Sequence, residues 1–252
     1  MSLLRKSFLS FLLYHFITLS LFSQEIKKGE VYSYARKIVD TMASESMHGR
    51  GYVNGGDSIA ANYLKNEFLK IGLKSFGEDY YQRLSFAINT FPYKNHFGLT
   101  INDDVHMKPC HDFNGIPGKN FLISSESPSF STNIFIRAIT FDSTYTTSLK
   151  KLKKFKKKIK FDDTFIIVDD RGVTDKAKQE YFKMVKANYF GTPGIVEIVK
   201  KLTWSQSQVV SEYVRIQIPV DSFNLCAKDF LGSVEIKNKF IPSHQSQNVI
   251  GY

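Results

Sequence analysis

The last seven residues, Ser246 to Tyr252, place the strongest constraint on what this chain can fold into. A polar turn leads into the short apolar strand Val249-Ile250, after which only Gly251 and Tyr252 follow. A short strand gains stability when partners cover its backbone edges and its faces, so this strand is predicted either to pair with the preceding fold or to fray. We therefore expect the chain to end in the opening strand of a sheet whose other strands it does not contain.

The first 23 residues have the pattern of a secretory signal peptide. Arg5 and Lys6 precede an apolar run from Phe8 to Phe22, and the small residue Ser23 follows. Because polar residues interrupt the run, it is poorly suited to span a membrane, and export is predicted, with a retained anchor helix as the alternative. We expect a mature protein that begins near Gln24, has no stable membrane span and is secreted or periplasmic.

The composition indicates a packed globular protein. Hydrophobic residues make up 42% of the chain, which contains 22 Phe and 13 Tyr. The length allows one large domain or two small domains with a true core. The two cysteines, Cys110 and Cys226, could form one disulfide in an oxidising compartment or remain as two buried thiols.

The formal net charge of +10 comes mainly from one segment. Eight lysines and no acid lie between Lys150 and Lys160, and without them the net charge would be +2. The apolar residues in and beside this run recur at steps of three and four: Leu149, Leu152, Phe155 and Ile159. This spacing predicts an amphipathic helix with its lysines in solvent. Nucleic-acid binding is not expected, since the run has no Arg and its one Phe belongs to the core, but an anionic cell-surface polymer is an alternative ligand.

Two amphipathic helices are predicted before residue 90. The first runs from Glu30 to Met42 and the second from Ile59 to Ile71. We expect the carboxylate of Asp57 to cap the second helix and Gly72 to end it in a left-handed conformation. Together the two helices cannot bury all of their apolar surface, so they are expected to pack on a larger body.

The chain from Lys74 onward is rich in predicted strands. Apolar and β-branched stretches separated by turn residues predict strands at 86–91, 97–101, 121–123, 134–138, 164–170, 195–199, 213–218 and 234–236. The lysine-rich helix and a helix from Asp175 to Asn188 lie between these strands, and a helix or turn is predicted at Asp229 to Leu231. This order predicts an α/β (α+β) fold with an N-terminal helix pair and a strand-rich domain.

Two short stretches resemble the N-terminal part of the secreted zinc aminopeptidases, a family that also contains glutamate carboxypeptidase-like and transferrin-receptor-like proteins. They are the glycine-rich link Met47 to Asp57, with the helix after it, and the Ser-Gln-Asn-Val-Ile-Gly sequence at 246–251. The order of strand, helix, glycine turn at 191–194, strand and Ile218-Pro219-Val220 is similar to a protease-associated domain. Several such enzymes carry this domain between their N-terminal helices and their catalytic sheet.

The resemblance implies a division of the chain into four segments. Residues 1–23 would be the signal peptide and 24–90 the N-terminal helical scaffold of a peptidase domain. Residues 91–242 would be the inserted protease-associated-like domain, and 243–252 the first strand of a truncated catalytic domain.

The resemblance also implies an activity for the full-length family, namely the removal of N-terminal residues from peptide or protein substrates with two zinc ions. In that family the zinc ligands and the catalytic Glu follow the Asn-Val-Ile-Gly strand. We therefore predict no catalytic, cofactor-binding or metal-binding residue in this chain, and we expect it to be inactive as a metallopeptidase. The alternative is a stand-alone secreted module that binds proteins or glycans.

Four other motifs are interpreted as structural. The metal-ligating side chains His106, Cys110, His111 and Asp112 are close in sequence, but Pro109 interrupts them and no second cluster completes a site. His48 lies in the glycine-rich link and is expected to be structural. The loop 114–120 lacks the Ser or Thr of a phosphate-binding loop. The pair Asp169-Asp170 is interpreted as a turn after a strand rather than a calcium site.

Overall fold

The computed structural model describes residues 28–102, 111–132, 135–145, 148–158 and 160–252. The predicted signal peptide lies outside these ranges. The described chain has an α+β fold, as predicted, and none of its helices is long and apolar enough to cross a membrane. Its described residues form two compact units: unit 1 contains those up to Leu84 together with Ser246–Tyr252, and unit 2 contains those within Ser85–Gln245.

Unit 1 contains the two predicted helices, α1 at Lys28–Met42 and α2 at Gly56–Lys70. Two short 3-10 segments, Glu45–Arg50 and Val53–Gly55, connect them. Helix α2 begins three residues before the predicted start, with Gly55 at the N-cap, so Asp57 lies in the first turn and not at the cap as predicted.

The predicted stop of α2 is confirmed. Gly72 has a φ of +78°, its amide donates to the carbonyl of Leu69, and the amide of Leu73 donates to the carbonyl of Phe68. This pair of hydrogen bonds is the Schellman arrangement, which satisfies the last carbonyls of a helix and favours glycine.

The chain leaves unit 1 and later returns to it along the two strands of a ribbon. The ribbon consists of β1 at Tyr81–Thr90 and β11 at Lys239–Val249. The ribbon continues beyond β11, because the amide of Ile250 donates to the carbonyl of Tyr80 at 2.8 Å. The apolar end of the chain is thus paired with the preceding fold, the first of the two outcomes allowed by the sequence.

Unit 2 is built on a nine-stranded mixed sheet. Its strands are β2 (His96–Ile101), β3 (Phe113–Asn114), β4 (Leu122–Ile123), β5 (Phe130–Ser131), β6 (Ile136–Phe141), β7 (Thr164–Val168), β8 (Gly194–Val199), β9 (Val214–Pro219) and β10 (Asp229–Ile236). The order is β3-β2-β10-β6-β7-β8-β9-β4, with β5 also paired to β10. Strands β6 to β9 are parallel, and the other pairings are antiparallel.

Two crossover helices connect the parallel strands: α3 at Leu149–Lys158 between β6 and β7, and α4 at Lys176–Lys186 between β7 and β8. Leu152 of α3 is fully buried and Phe155 is 6% exposed, so the amphipathic helix predicted from the lysine-rich segment is confirmed, although Leu149 at its first position is 41% exposed and not part of the buried side. Ile159, the last member of the predicted apolar stripe, lies outside the described residues.

The two faces of the sheet have separate cores because side chains alternate along each strand. On β7, Ile166 and Val168 face the core that contains α3 and α4, whereas Phe165 and Ile167 face the second core. The second core also joins distant parts of the sheet: the rings of Phe97 on β2 and Phe121 beside β4 lie 5.9 Å apart. The sheet therefore curls around its second core.

Two predicted elements were wrong. The polar turn predicted at the start of the 246–252 stretch lies within strand β11, which extends to Val249. The segment Asp229 to Leu231, predicted as a helix or turn, begins strand β10. This strand pairs with β2 on one edge and with β6 on the other, and these long-range hydrogen bonds outweigh the local turn signal.

Of the two cysteines, Cys226 is disulfide-bonded, whereas Cys110 lies outside the described residues.

Candidate functional site

The glycine-rich link between α1 and α2 has an unusual backbone. Five of its residues have a φ between +46° and +73°: His48, Gly49, Arg50, Asn54 and Gly55. Three of these are not glycine, and such conformations carry strain that persists only where the surrounding structure enforces it. The link is therefore held in one specific shape.

Gly56 explains how this shape is enforced. A Cβ atom at this position would lie 2.5 Å from the carbonyl oxygen of Met47 and 3.0 Å from that of Gly51. The first turn of α2 thus contacts the link backbone directly, and the amide of Asp57 donates to the carbonyl of Gly51 at 2.8 Å. Met47 is 5% exposed, so the closed link also has a small apolar anchor.

The C-terminal stretch meets this link within unit 1. The hydroxyl of Ser246 donates to Oδ2 of Asp57 at 2.9 Å, across 189 residues of sequence. The other carboxylate oxygen, Oδ1, accepts from the amide of Ser58 at 2.8 Å. Asp57 therefore joins the start of α2 to the C-terminal stretch.

Backbone contacts complete the junction at the other end of α2. Lys74 and Tyr252 exchange two hydrogen bonds of 2.9 and 3.0 Å. A Cβ atom on Gly251 would lie 2.9 Å from the ring of Phe68 and 3.3 Å from the Cβ of Leu73. The junction thus brings together the two stretches that resemble the zinc aminopeptidases.

A charged cluster lies on α2 and contacts α1. Glu67, which is 5% exposed, accepts hydrogen bonds from Lys70 at 2.5 Å and from the hydroxyl of Tyr34 at 2.8 Å. These two bonds lower the pKa of Glu67, and the same contacts raise the pKa values of Lys70 and Tyr34. Nearby, the hydroxyl of Tyr63 is buried without a hydrogen-bond partner among the described residues.

The structure describes part of the cluster that contains His106, Cys110, His111 and Asp112, and all of the 114–120 loop. His106 and Cys110 lie outside the described residues, whereas His111 and Asp112 are exposed. In the 114–120 loop, Asn120 accepts from the amide of Ile116, so the loop is closed by its own side chain. Within the described ranges, no group of three His, Cys, Asp or Glu side chains could hold a metal ion.

The two acids after β7 are ion-paired. Asp169 binds Arg171 at 2.7 Å, and Asp170 binds Lys186 at 2.8 Å. Burial alone would raise the pKa of Asp169, but the hydrogen bonds from the guanidinium and the backbone amide of Arg171, together with its charge, outweigh burial and lower this pKa. Each carboxylate thus has a cationic partner from the chain itself, which agrees with the structural interpretation of this pair.

A groove in unit 2 was not foreseen from the sequence. It has a volume of about 580 Å³ and lies where β6 and β7 begin, with Phe130, Ile136 and Leu231 among its apolar lining residues and Arg137, Lys160 and Asp163 among its charged ones. Asp229 fixes the guanidinium of Arg137 by a hydrogen bond of 2.9 Å. The lining residues come from distant strands, so no local motif could have revealed the groove.

The chain has limited similarity to known proteins. No protein-family model and no curated protein matches it. Among solved structures it is similar to an aminopeptidase from Aneurinibacillus sp. strain AM-1, with 12% identity and a TM-score of 0.44 over 78% of this chain and 42% of that one. It is also similar to a peptidase M28 precursor from Shewanella amazonensis SB2B, with 12% identity and a TM-score of 0.46 over 78% of this chain and 45% of that one. The chain therefore spans less than half the length of either structure.

Proposed function

We propose that this chain is the N-terminal part of a secreted zinc-aminopeptidase-like protein. Unit 1 would supply scaffold helices and the opening strand of the catalytic body, and unit 2 would be an inserted protease-associated-like domain. The observation that carries the proposal is the 2.9 Å hydrogen bond between Asp57 and Ser246, which joins the two stretches on which the resemblance rests. Stretches that belong to one catalytic scaffold must meet in space, although one domain separates them in sequence.

The proposal assigns peptide hydrolysis to the full-length protein and not to this segment. The described residues offer no set of side chains that fits zinc. No catalytic step is therefore derived for them, and the two zinc ions of the resembling family would be held elsewhere in the full-length protein.

The exposed apolar side chains of unit 1 support a scaffold role. Val31 and Val39 on α1 are 50% and 59% exposed, and Leu69 at the end of α2 and Ile71 just after it are 53% and 55% exposed. A 15-residue helix with so little buried surface is marginal in water, since most helical stability in proteins comes from packing. Under the proposal, the catalytic body covers these side chains.

The disulfide supports the proposed secretion. Cys226 is disulfide-bonded, and such bonds persist mainly in oxidising compartments. Together with the signal-peptide pattern of residues 1–23, this supports a site of action outside the cytoplasm.

Two measurements test the proposal. The coding sequence after codon 252 is expected to encode a strand that contains His-x-Asp, as in the resembling enzymes. An open reading frame there that encodes no metal-ligating residues would contradict the proposal. The purified chain is expected to release no chromophore from an aminoacyl p-nitroanilide in the presence of added zinc. Turnover that a chelator abolishes would show that the assignment of the ligands is wrong.

The groove of unit 2 favours a second candidate function, a protein- or glycan-binding module. Its combination of apolar and charged side chains suits an extended peptide or sugar. In a self-sufficient module, α1 should be as protected from hydrogen exchange as the core strand β7, whereas in a scaffold segment α1 should exchange much faster.

A further inference from the structure

The outer face of α3 is an ordered row of lysines. Because Leu152 and Phe155 point into the core, the opposite side of the helix is fixed in solvent. Four lysines occupy that side at positions i, i+3, i+4 and i+7: Lys150, Lys153, Lys154 and Lys157. All four are exposed, and we call them the lysine stripe.

The lysine stripe has no ion-pair partner in the part of the chain that the structure describes. None of the ion pairs between described residues includes a stripe lysine. The neighbouring helix α4 differs, since its Lys183 binds Glu180 at 2.6 Å and its Lys186 binds Asp170 at 2.8 Å. The positive charge of α3 is therefore available to an external anion.

This arrangement is unfavourable without a ligand. Like charges at i, i+3 and i, i+4 on a helix repel each other, and the stripe contains such pairs throughout. The helix is nevertheless held in place beside the stripe, because Nζ of Lys156 donates to the carbonyl of Tyr189 at 3.0 Å and lies 4.8 Å from the centre of its ring. A bound polyanion would relieve the repulsion without needing to order the helix.

We propose that the lysine stripe binds an anionic polysaccharide. Four point charges over about 10 Å of helix suit a chain with regularly spaced carboxylate or sulfate groups. Nucleic acid is disfavoured, since the stripe offers neither Arg nor an aromatic side chain for base stacking. A membrane surface is disfavoured because Leu152 and Phe155 are turned into the core and cannot insert into lipid. This proposal is independent of the peptidase proposal.

Heparin is a suitable probe, and a charge-matched pair of variants provides the test. In the stripe variant, Lys150, Lys153, Lys154 and Lys157 are all replaced by Gln. In the control variant, four exposed lysines from separate segments of unit 2 are replaced by Gln: Lys94, Lys119, Lys200 and Lys239. Both variants lower the net charge by the same amount, so they differ only in where the charge is lost.

The stripe variant should bind heparin at least tenfold more weakly at 0.1 M salt, and the control variant should stay within about twofold of the original chain. The slope of log affinity against log salt concentration should decrease by about 3 in the stripe variant, taking the single-strand value of ~0.7 per neutralised charge as a guide. Circular dichroism and thermal unfolding verify that both variants are folded.

Three results would overturn the proposal. Equal losses in the two variants would mean that only net charge matters, and unchanged binding in the stripe variant would mean that the stripe does not contact the ligand. Tighter binding to duplex DNA or to phosphatidylglycerol vesicles than to heparin would mean that the ligand class is wrong.

Discussion

Replacing Gly56 by Ala should destabilise unit 1, although alanine is the better helix former. The new Cβ atom would lie 2.5 Å from the carbonyl oxygen of Met47 and 3.2 Å from the amide nitrogen of Arg50. These neighbours belong to the backbone and cannot rotate away, so the whole link would have to move. Overpacking of this kind costs up to about 3 kcal/mol, whereas the change from glycine to alanine in a helix gains about 1 kcal/mol.

The expected net loss is therefore about 2 kcal/mol, which corresponds to roughly a 30-fold increase in the opening equilibrium of α2. Hydrogen exchange of the α2 amides measures this change without requiring global unfolding. Gly29→Ala is the matched control. Gly29 is also helical, but apart from its own helix backbone and chain neighbours no described atom lies within 4 Å of the point that a Cβ atom would occupy, so this variant should be unchanged or slightly more stable. If the α2 amides of the Gly56→Ala variant exchange hydrogen as slowly as those of the original protein, backbone contact at Gly56 does not fix the link.

Three further predictions concern single contacts. Leu152→Ala should destabilise unit 2 by about 2–5 kcal/mol in urea unfolding, because the removed side chain is fully buried; a loss below about 1 kcal/mol would mean that α3 is loosely packed. Tyr34→Phe should raise the lowered pKa of Glu67 toward its ordinary value, so that the stability which unit 1 loses on acidification is smaller and is fully lost at a higher pH. An NMR titration of the carboxyl carbon measures this, and an unchanged midpoint would contradict it. A double-mutant cycle of Asp57→Ala and Ser246→Ala should give a coupling of about 1 kcal/mol, and a coupling near zero would show that this hydrogen bond does not stabilise the junction.

The elements with strong local signals could be predicted from the sequence. Leu152 and Phe155 at helical spacing identified the buried side of α3, and Gly72 identified the stop of α2. A helix was predicted from Asp175 to Asn188, and the side chain of Asp175 caps the start of α4 by accepting a hydrogen bond from the amide of Lys178. In each case the decisive interactions lie within a few residues of one another, so the sequence pattern contains them.

Elements that depend on distant partners could not be predicted in the same way. Strand β10 is specified by β2 and β6, which are far away in sequence, and β3 and β5 have only two residues each. The bond between Asp57 and Ser246 joins residues 189 positions apart in sequence, and no spacing rule describes such a contact. The groove near Arg137 likewise forms only after the sheet has assembled.

The ribbon of β1 and β11 has a consequence for engineering. Ser85 and Ser243, near the entrance and the exit of unit 2, have hydroxyls only 2.7 Å apart. A tight hairpin turn could therefore replace everything between these points, since two neighbouring antiparallel strands need only a few connecting residues. The resulting miniature would retain the Asp57–Ser246 bond and would show whether the helical part can fold when its large insert has been excised.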